Sequence, residues 1–123
     1  MFNTSKMKKL EIMKMEHLAN FTIAGFTYYE GALAFNKLKI GKQVELKLEE
    51  DNKFDARAVA IYHQDCKLGF VPKSDNRIIY KLLKMGMQDH LRALIQQVDS
   101  REHPESQVRI LVHLINPNLL KEV

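Results

Sequence analysis

Residues 43 to 72 read QVELKLEEDNKFDARAVAIYHQDCKLGFVP, and this run decides the fold. Its opening alternates: Val44, Leu46 and Leu48 fall on one face, Glu45, Lys47 and Glu49 on the other. A period of two predicts a half-buried antiparallel strand. AVAIYH (58–63) is a second, more apolar strand. HQDCK (63–67) is its turn, and LGFVP (68–72) returns. Pro72 ends the returning strand, because proline cannot donate to a ladder. Consecutive antiparallel strands of this kind predict a mainly β domain.

Between the first two strands, EEDNKFDAR (49–57) forms a polar corner. It carries one aromatic residue, Phe54, directly before Asp55, with Arg57 following. An ordinary hairpin loop would use such a ring as a hydrophobic plug. A pocket that stacks something flat and holds one hydroxyl would use it as a wall.

Outward from this run, SDNRIIYKLLKMG (74–86) is the clearest helix. Ser74 suits the N-cap and Gly86 the C′ position. Ile78, Ile79, Leu82 and Leu83 are expected to face the core, while Arg77, Lys81 and Lys84 fall at i, i+4 and i+7 as one basic stripe. Upstream, LANFTIAGFTYY (18–29) is β-like, with a bend or bulge at Gly25, and EGALAFNKLKIG (30–41) is a connector with a short helical turn. Downstream, LRALIQQVDS (91–100) and QVRILVHLI (107–115) are strands flanking the polar turn REHPE (101–105). About six strands and one or two helices predict a small antiparallel barrel closed by a helix. Residues 1–17 read as a basic arm, either an amphipathic helix starting at Thr4 or Ser5 or a frayed leader; 18–118 form one domain and 119–123 a tail.

The composition suits one folded domain: 123 residues, 46% hydrophobic and 28% charged. The single cysteine, Cys66, allows no internal disulfide and fits a reducing, cytoplasmic setting. Apolar runs are too short to span a bilayer, and no secretory leader follows the N-terminal lysines, so no membrane partner is expected. A net charge of +4 and a pI near 9.2 permit an acidic partner without requiring one.

Several chemistries are excluded. The five histidines are scattered and form no metal-ligand spacing. DNKFDARAVAIY begins like a calcium loop, but Ala56 stands where the turn glycine belongs and Tyr62 where the closing glutamate belongs. His63 and Cys66 bracket a turn with no third group to orient the histidine. No phosphate-binding glycine loop occurs. Neither an enzymatic constellation nor a cofactor is expected.

One constellation remains. GFTYYEG (25–31) brings Tyr28 and Tyr29, either pocket aromatics or ordinary strand aromatics. DNKFDARAV brings the aromatic–acid pair. GFVPKSDNR (69–77) places Lys73 before a helix N-terminus, where free N–H groups and the dipole favour an anion such as phosphate.

These segments resemble the HIRAN domain, found at the N-terminus of some SWI/SNF-type helicases and as stand-alone bacterial proteins. The resemblance covers roughly residues 23–86. It implies an OB-like β-barrel, a non-catalytic module that binds single-stranded DNA and has a pocket for the free 3′ end. By position, Tyr28 and Phe54 would stack on terminal bases and Asp55 would accept a hydrogen bond from the 3′-hydroxyl. Asn52 and Lys73 would lie near phosphates, and Tyr29, Arg57, Phe70 and Arg77 complete the expected site. The chain departs from the helicase members at Thr27 (an arginine there), Lys53 (proline), Phe54 (tyrosine), Arg57 (asparagine) and Phe70 (histidine). Phe54 and Phe70 keep stacking ability and lose polar contacts, and Lys53 or Arg57 stands ready to replace the arginine lost at Thr27. The other reading is a docking module for a separately encoded DNA-processing helicase or nuclease, served by the basic arm and exposed aromatics.

Overall fold

A computed structural model describes residues 15–29, 35–103 and 106–117. Of the expected arm at 1–17, residues 15–17 belong to the first strand; residues 1–14, with the helix expected from Thr4 or Ser5, and the tail at 119–123 lie outside the described residues.

Six strands form one antiparallel sheet: β1 (Met15–Thr22), β2 (Gln43–Leu48), β3 (Val59–His63), β4 (Cys66–Phe70), β5 (Leu91–Val98) and β6 (Val108–Ile115). Their order is β1-β6-β5-β2-β3-β4. The α-helix α1 (Asn76–Lys84) lies against β2 and β3. The sheet curls toward closure without completing it. Its edges meet through one two-residue bridge, in which Ala24 and Phe70 exchange backbone hydrogen bonds at 2.9 Å. The architecture is thus mainly β, barrel-like and open along this seam. Among the described residues, no helix is long and apolar enough to cross a membrane.

The alternation read in β2 recurs in β6 and sets the packing. Val108, Ile110 and Val112 of β6 point inward and meet Ala93 and Ile95 of β5, Val59 and Ile61 of β3, Leu68 of β4 and Ile79 of α1. Each is nearly or fully removed from water, and such burial is the main favourable contribution to folding, roughly 1.5–3 kcal/mol per large side chain.

Gly69 sits where the seam is tightest. Its φ of 148° is a region that glycine alone occupies without strain. A Cβ there would strike the Ala24 carbonyl and stand 2.6 Å from Ile23 Cγ2. The backbone of β4 approaches the chain after β1 only because residue 69 has no side chain.

Three local expectations are corrected. GFTYY does not continue the first strand: Gly25 is left-handed, at φ 71°, and turns the chain into a 3-10 turn at Phe26–Tyr28. Phe26 is then buried edge-on against Phe35, with centroids 6.3 Å apart. Ser74 is not the N-cap of α1. The Asp75 amide donates to the Pro72 carbonyl, so the chain is still turning at Ser74; Asp75 takes the cap position and the Ser74 hydroxyl donates to its carboxylate. Ile78 does not face the core. The buried stripe runs through Asn76 and Ile79 to the partly buried Leu83, which turns Ile78 outward at 46% exposure.

The end of α1 is as expected. Gly86 N–H donates to Leu83 O and Met87 N–H to Leu82 O, with Gly86 at φ 75°: a Schellman closure.

Candidate functional site

The corner between β2 and β3 is shaped by its own polar side chains. Asn52 Oδ1 accepts from the amides of Phe54 at 2.8 Å and Asp55 at 3.0 Å. This side-chain turn, typical of asparagine, presents Phe54 to solvent and aims Asp55 back toward α1. Asp55 Oδ1 accepts from the Arg57 amide at 2.9 Å. Its Oδ2 accepts from Asn76 Nδ2 at 2.9 Å, and the same amide nitrogen donates to the Arg57 carbonyl at 2.9 Å. Asn76 is 2% exposed, so a buried amide at the start of α1 fastens the corner to the helix. Lys73 Nζ adds a second tie, donating to the Phe54 carbonyl at 3.1 Å.

The facing wall is aromatic. Tyr29 and Phe70 meet edge to face, with centroids 5.4 Å apart and rings inclined at 73°. Lys67 Nζ stands 4.7 Å from the Tyr29 centroid and 4.5 Å from that of Phe70. The same ammonium donates to Glu49 Oε1 at 2.6 Å, while Glu49 Oε2 accepts from Asn52 Nδ2 at 2.8 Å. Burial pushes the Glu49 carboxyl up, but the bonds from Lys67 and Asn52 and the nearby ammonium charge outweigh it and hold the group below its usual range. Burial likewise pushes the Lys67 ammonium down, and the bond and charge of Glu49, with smaller help from Tyr29 and Tyr62, reverse this and hold it above its usual range.

Between the walls lies an open cleft of about 260 Å³. Tyr29, Asn52, Phe54, Asp55, Phe70 and Lys73 line it, over a floor that includes Ala24, Ala58 and Val71. Most of the site expected from the sequence therefore converges from three separate segments. Phe54 is 88% exposed, a large apolar ring left bare at the cleft rim.

Other expected residues are placed elsewhere. Tyr28 closes the 3-10 turn; its side chain is outside what is described. Arg57 is exposed and lends the corner its backbone rather than lining the cleft. Arg77 lines a different groove, of about 310 Å³, with Leu18, Ala19, Ile78 and Lys81 among its neighbours. Lys84 pairs with Glu50 at 2.9 Å, so the last charge of the basic stripe is countered. Sequence reasoning missed Asn76, Glu49 and Lys67. The signal for Asn76 lay in GFVPKSDNR, where an amide at a helix start reads as a capping group. Glu49 and Lys67 carried no signal, because they are 18 residues apart and meet only across the strands. Among the described residues, no group of three or more His, Cys, Asp or Glu is arranged to hold a metal ion.

Comparison with known proteins agrees with the fold. The family profile described as the HIRAN domain matches residues 17–114. Among solved structures, the fold is similar to the crystal structure of a protein from Lactobacillus plantarum: TM-score 0.70, 21% identity, covering 83% of this chain and 96% of that one. Among curated proteins, none matches. The family profile spans most of the chain, β1 to β6, and takes in every residue lining the cleft; the chain belongs to the HIRAN domain family, whose members are generally nucleic-acid-binding modules.

Proposed function

We propose that this domain holds the free 3′ end of single-stranded DNA in the cleft between Phe54 and the Tyr29–Phe70 pair. The observation that carries the proposal is the convergence of a bare ring, a carboxylate and a lysine around one cleft. Phe54 offers a flat apolar face to a terminal base, and stacking of this kind contributes about 1–3 kcal/mol per base without regard to sequence. Asp55 accepts one bond at each oxygen, and a carboxylate has about four acceptor sites. It therefore retains capacity for a 3′-hydroxyl, while a 3′-phosphate would meet like charge. Lys73 spends one of its three donors on the Phe54 carbonyl and has others for a backbone phosphate. The module binds and does not cleave.

Fluorescence anisotropy with short labelled single strands tests this. The expected result is salt-sensitive binding that prefers a 3′-OH to a 3′-phosphate end. Equal binding of the two ends removes the role given to Asp55, and no binding at low salt removes the DNA reading.

One observation favours a second reading, docking of a separately encoded DNA-processing protein. Ile78 is 46% exposed and lines the groove beside Leu18, Arg77 and Lys81. Binding of such a purified partner that survives nuclease treatment and is lost in Ile78→Glu would support it.

A further inference from the structure

The two walls of the cleft are built from segments far apart in the chain. Phe54 and Asp55 stand on the β2–β3 corner; Tyr29 follows the 3-10 turn after β1, and Phe70 ends β4. Strand pairing sets Phe70 opposite Ala60 and Ala24, but the corner that carries Phe54 and Asp55 lies outside the ladder. One chain of polar contacts joins the corner to the rings. Lys67 lies against both rings, donates to Glu49, and Glu49 accepts from the same Asn52 whose oxygen shapes the corner. The Lys67 and Glu49 side chains are only 18% and 25% exposed, so their pairing is shielded more than a surface ion pair. Tyr29, Phe70 and Asn52 line the cleft, whereas Lys67 and Glu49 do not. The pair stands behind the walls.

We infer that Lys67 and Glu49 are positioning residues, a brace that couples the aromatic wall to the Phe54–Asp55 corner and sets the width of the cleft. The inference rests on the reading of the cleft as a nucleic-acid site. It also makes the cation a backing for the rings instead of a phosphate contact: the ammonium satisfies the ring faces it touches and leaves the cleft side to the ligand. This sets the brace against plain electrostatics. Glu49 adds negative charge near a site for a polyanion, so charge alone predicts that neutralising it tightens binding. The brace predicts the opposite.

The test uses the full chain and the variants Glu49→Gln, Lys67→Met and Lys67→Arg. In the ligand-free protein, magnetic resonance follows the Phe54 and Asp55 amides and the Tyr29 ring. Lys67→Met should shift both amides, which Lys67 does not touch; Glu49→Gln should shift the Tyr29 ring; Lys67→Arg should keep the wild-type pattern. Unmoved amides in folded Lys67→Met overturn the brace. In anisotropy with a short labelled oligothymidylate ending in a 3′-OH, Glu49→Gln should bind roughly three- to tenfold more weakly, the scale of coupling between contacting residues. Equal or tighter binding overturns the brace. Lys67→Met should weaken binding without changing the salt dependence, and a slope reduced by about one would make Lys67 a phosphate contact instead. If Lys67→Met fails to fold, Glu49→Gln, which keeps the side-chain shape, carries both measurements. If the wild-type protein binds no strand, the DNA reading falls alone and the resonance measurements still decide the brace.

Discussion

Phe54 and Asn76 are opposite cases of what one side chain contributes. Phe54 is 88% exposed and its ring supports almost no core. Phe54→Ala is expected to leave the melting temperature within experimental scatter while lowering affinity for single strands by about 1–3 kcal/mol, read by anisotropy. Asn76 is buried and serves two acceptors on the corner, Asp55 Oδ2 and the Arg57 carbonyl. Asn76→Ala leaves both without that partner, and unmade bonds at buried polar groups cost about 1–3 kcal/mol. Denaturant unfolding should record that loss, with weaker binding accompanying it because Asp55 is no longer held against α1.

Among elements, β4 is the exacting one. It pairs with β3 along one edge and reaches Ala24 along the other, and Leu68 is the extra residue in a register slip between Ile61–Gly69 and Tyr62–Lys67. Gly69→Ala forces a side chain into the Ala24 backbone at a φ that alanine avoids. Strain and clash together predict a loss of roughly 2–4 kcal/mol in denaturant unfolding. The Glu49–Lys67 pair belongs to this scale too, since it joins the end of β2 to β4. The Glu49 carboxyl is held below its ordinary value near 4.5. Its contribution to stability is therefore present above that value and is lost as pH falls through the lower folded value. The Lys67 ammonium is held above its ordinary value near 10.5, so its contribution is present below that pH and is lost as pH rises through the higher folded value. In acid titrations followed by circular dichroism, Glu49→Gln should flatten the wild-type decline below pH 4.5, with a difference at neutral pH of about 1 kcal/mol.

For the whole molecule, the net charge of +4 favours a polyanion but names no site. The local arrangement divides the labour: Lys73 carries charge at the cleft and Phe54 carries stacking. The logarithm of affinity should therefore fall linearly with the logarithm of salt concentration. Lys73→Met should reduce that slope by about one, whereas Phe54→Ala should lower affinity at every salt concentration and leave the slope unchanged. Reversal of these two outcomes would show that the roles are exchanged.

The sequence by itself determined the strands and their order of appearance. The alternation in QVELKLEE and the apolar run AVAIYH are local patterns, and periodicity survives without knowledge of the fold. It also offered Tyr28, Tyr29, Asn52, Phe54, Asp55, Arg57, Phe70, Lys73 and Arg77 as a candidate group, of which Tyr29, Asn52, Phe54, Asp55, Phe70 and Lys73 line one cleft. Only tertiary structure decided how the group is assembled. Ser74 yielded the cap to Asp75 because the Pro72 turn extends one residue further. Ile78 turned outward because the helix buries the stripe through Ile79. Tyr29 rather than strand continuation faces Phe70 because Gly25 redirects the chain. Glu49 and Lys67 meet because β4 folds back beside β3 and the long Lys67 side chain reaches from the start of β4 to the corner that follows β2. Contacts between residues far apart in sequence depend on register and curvature, which are properties of the assembled sheet and are written in no single segment.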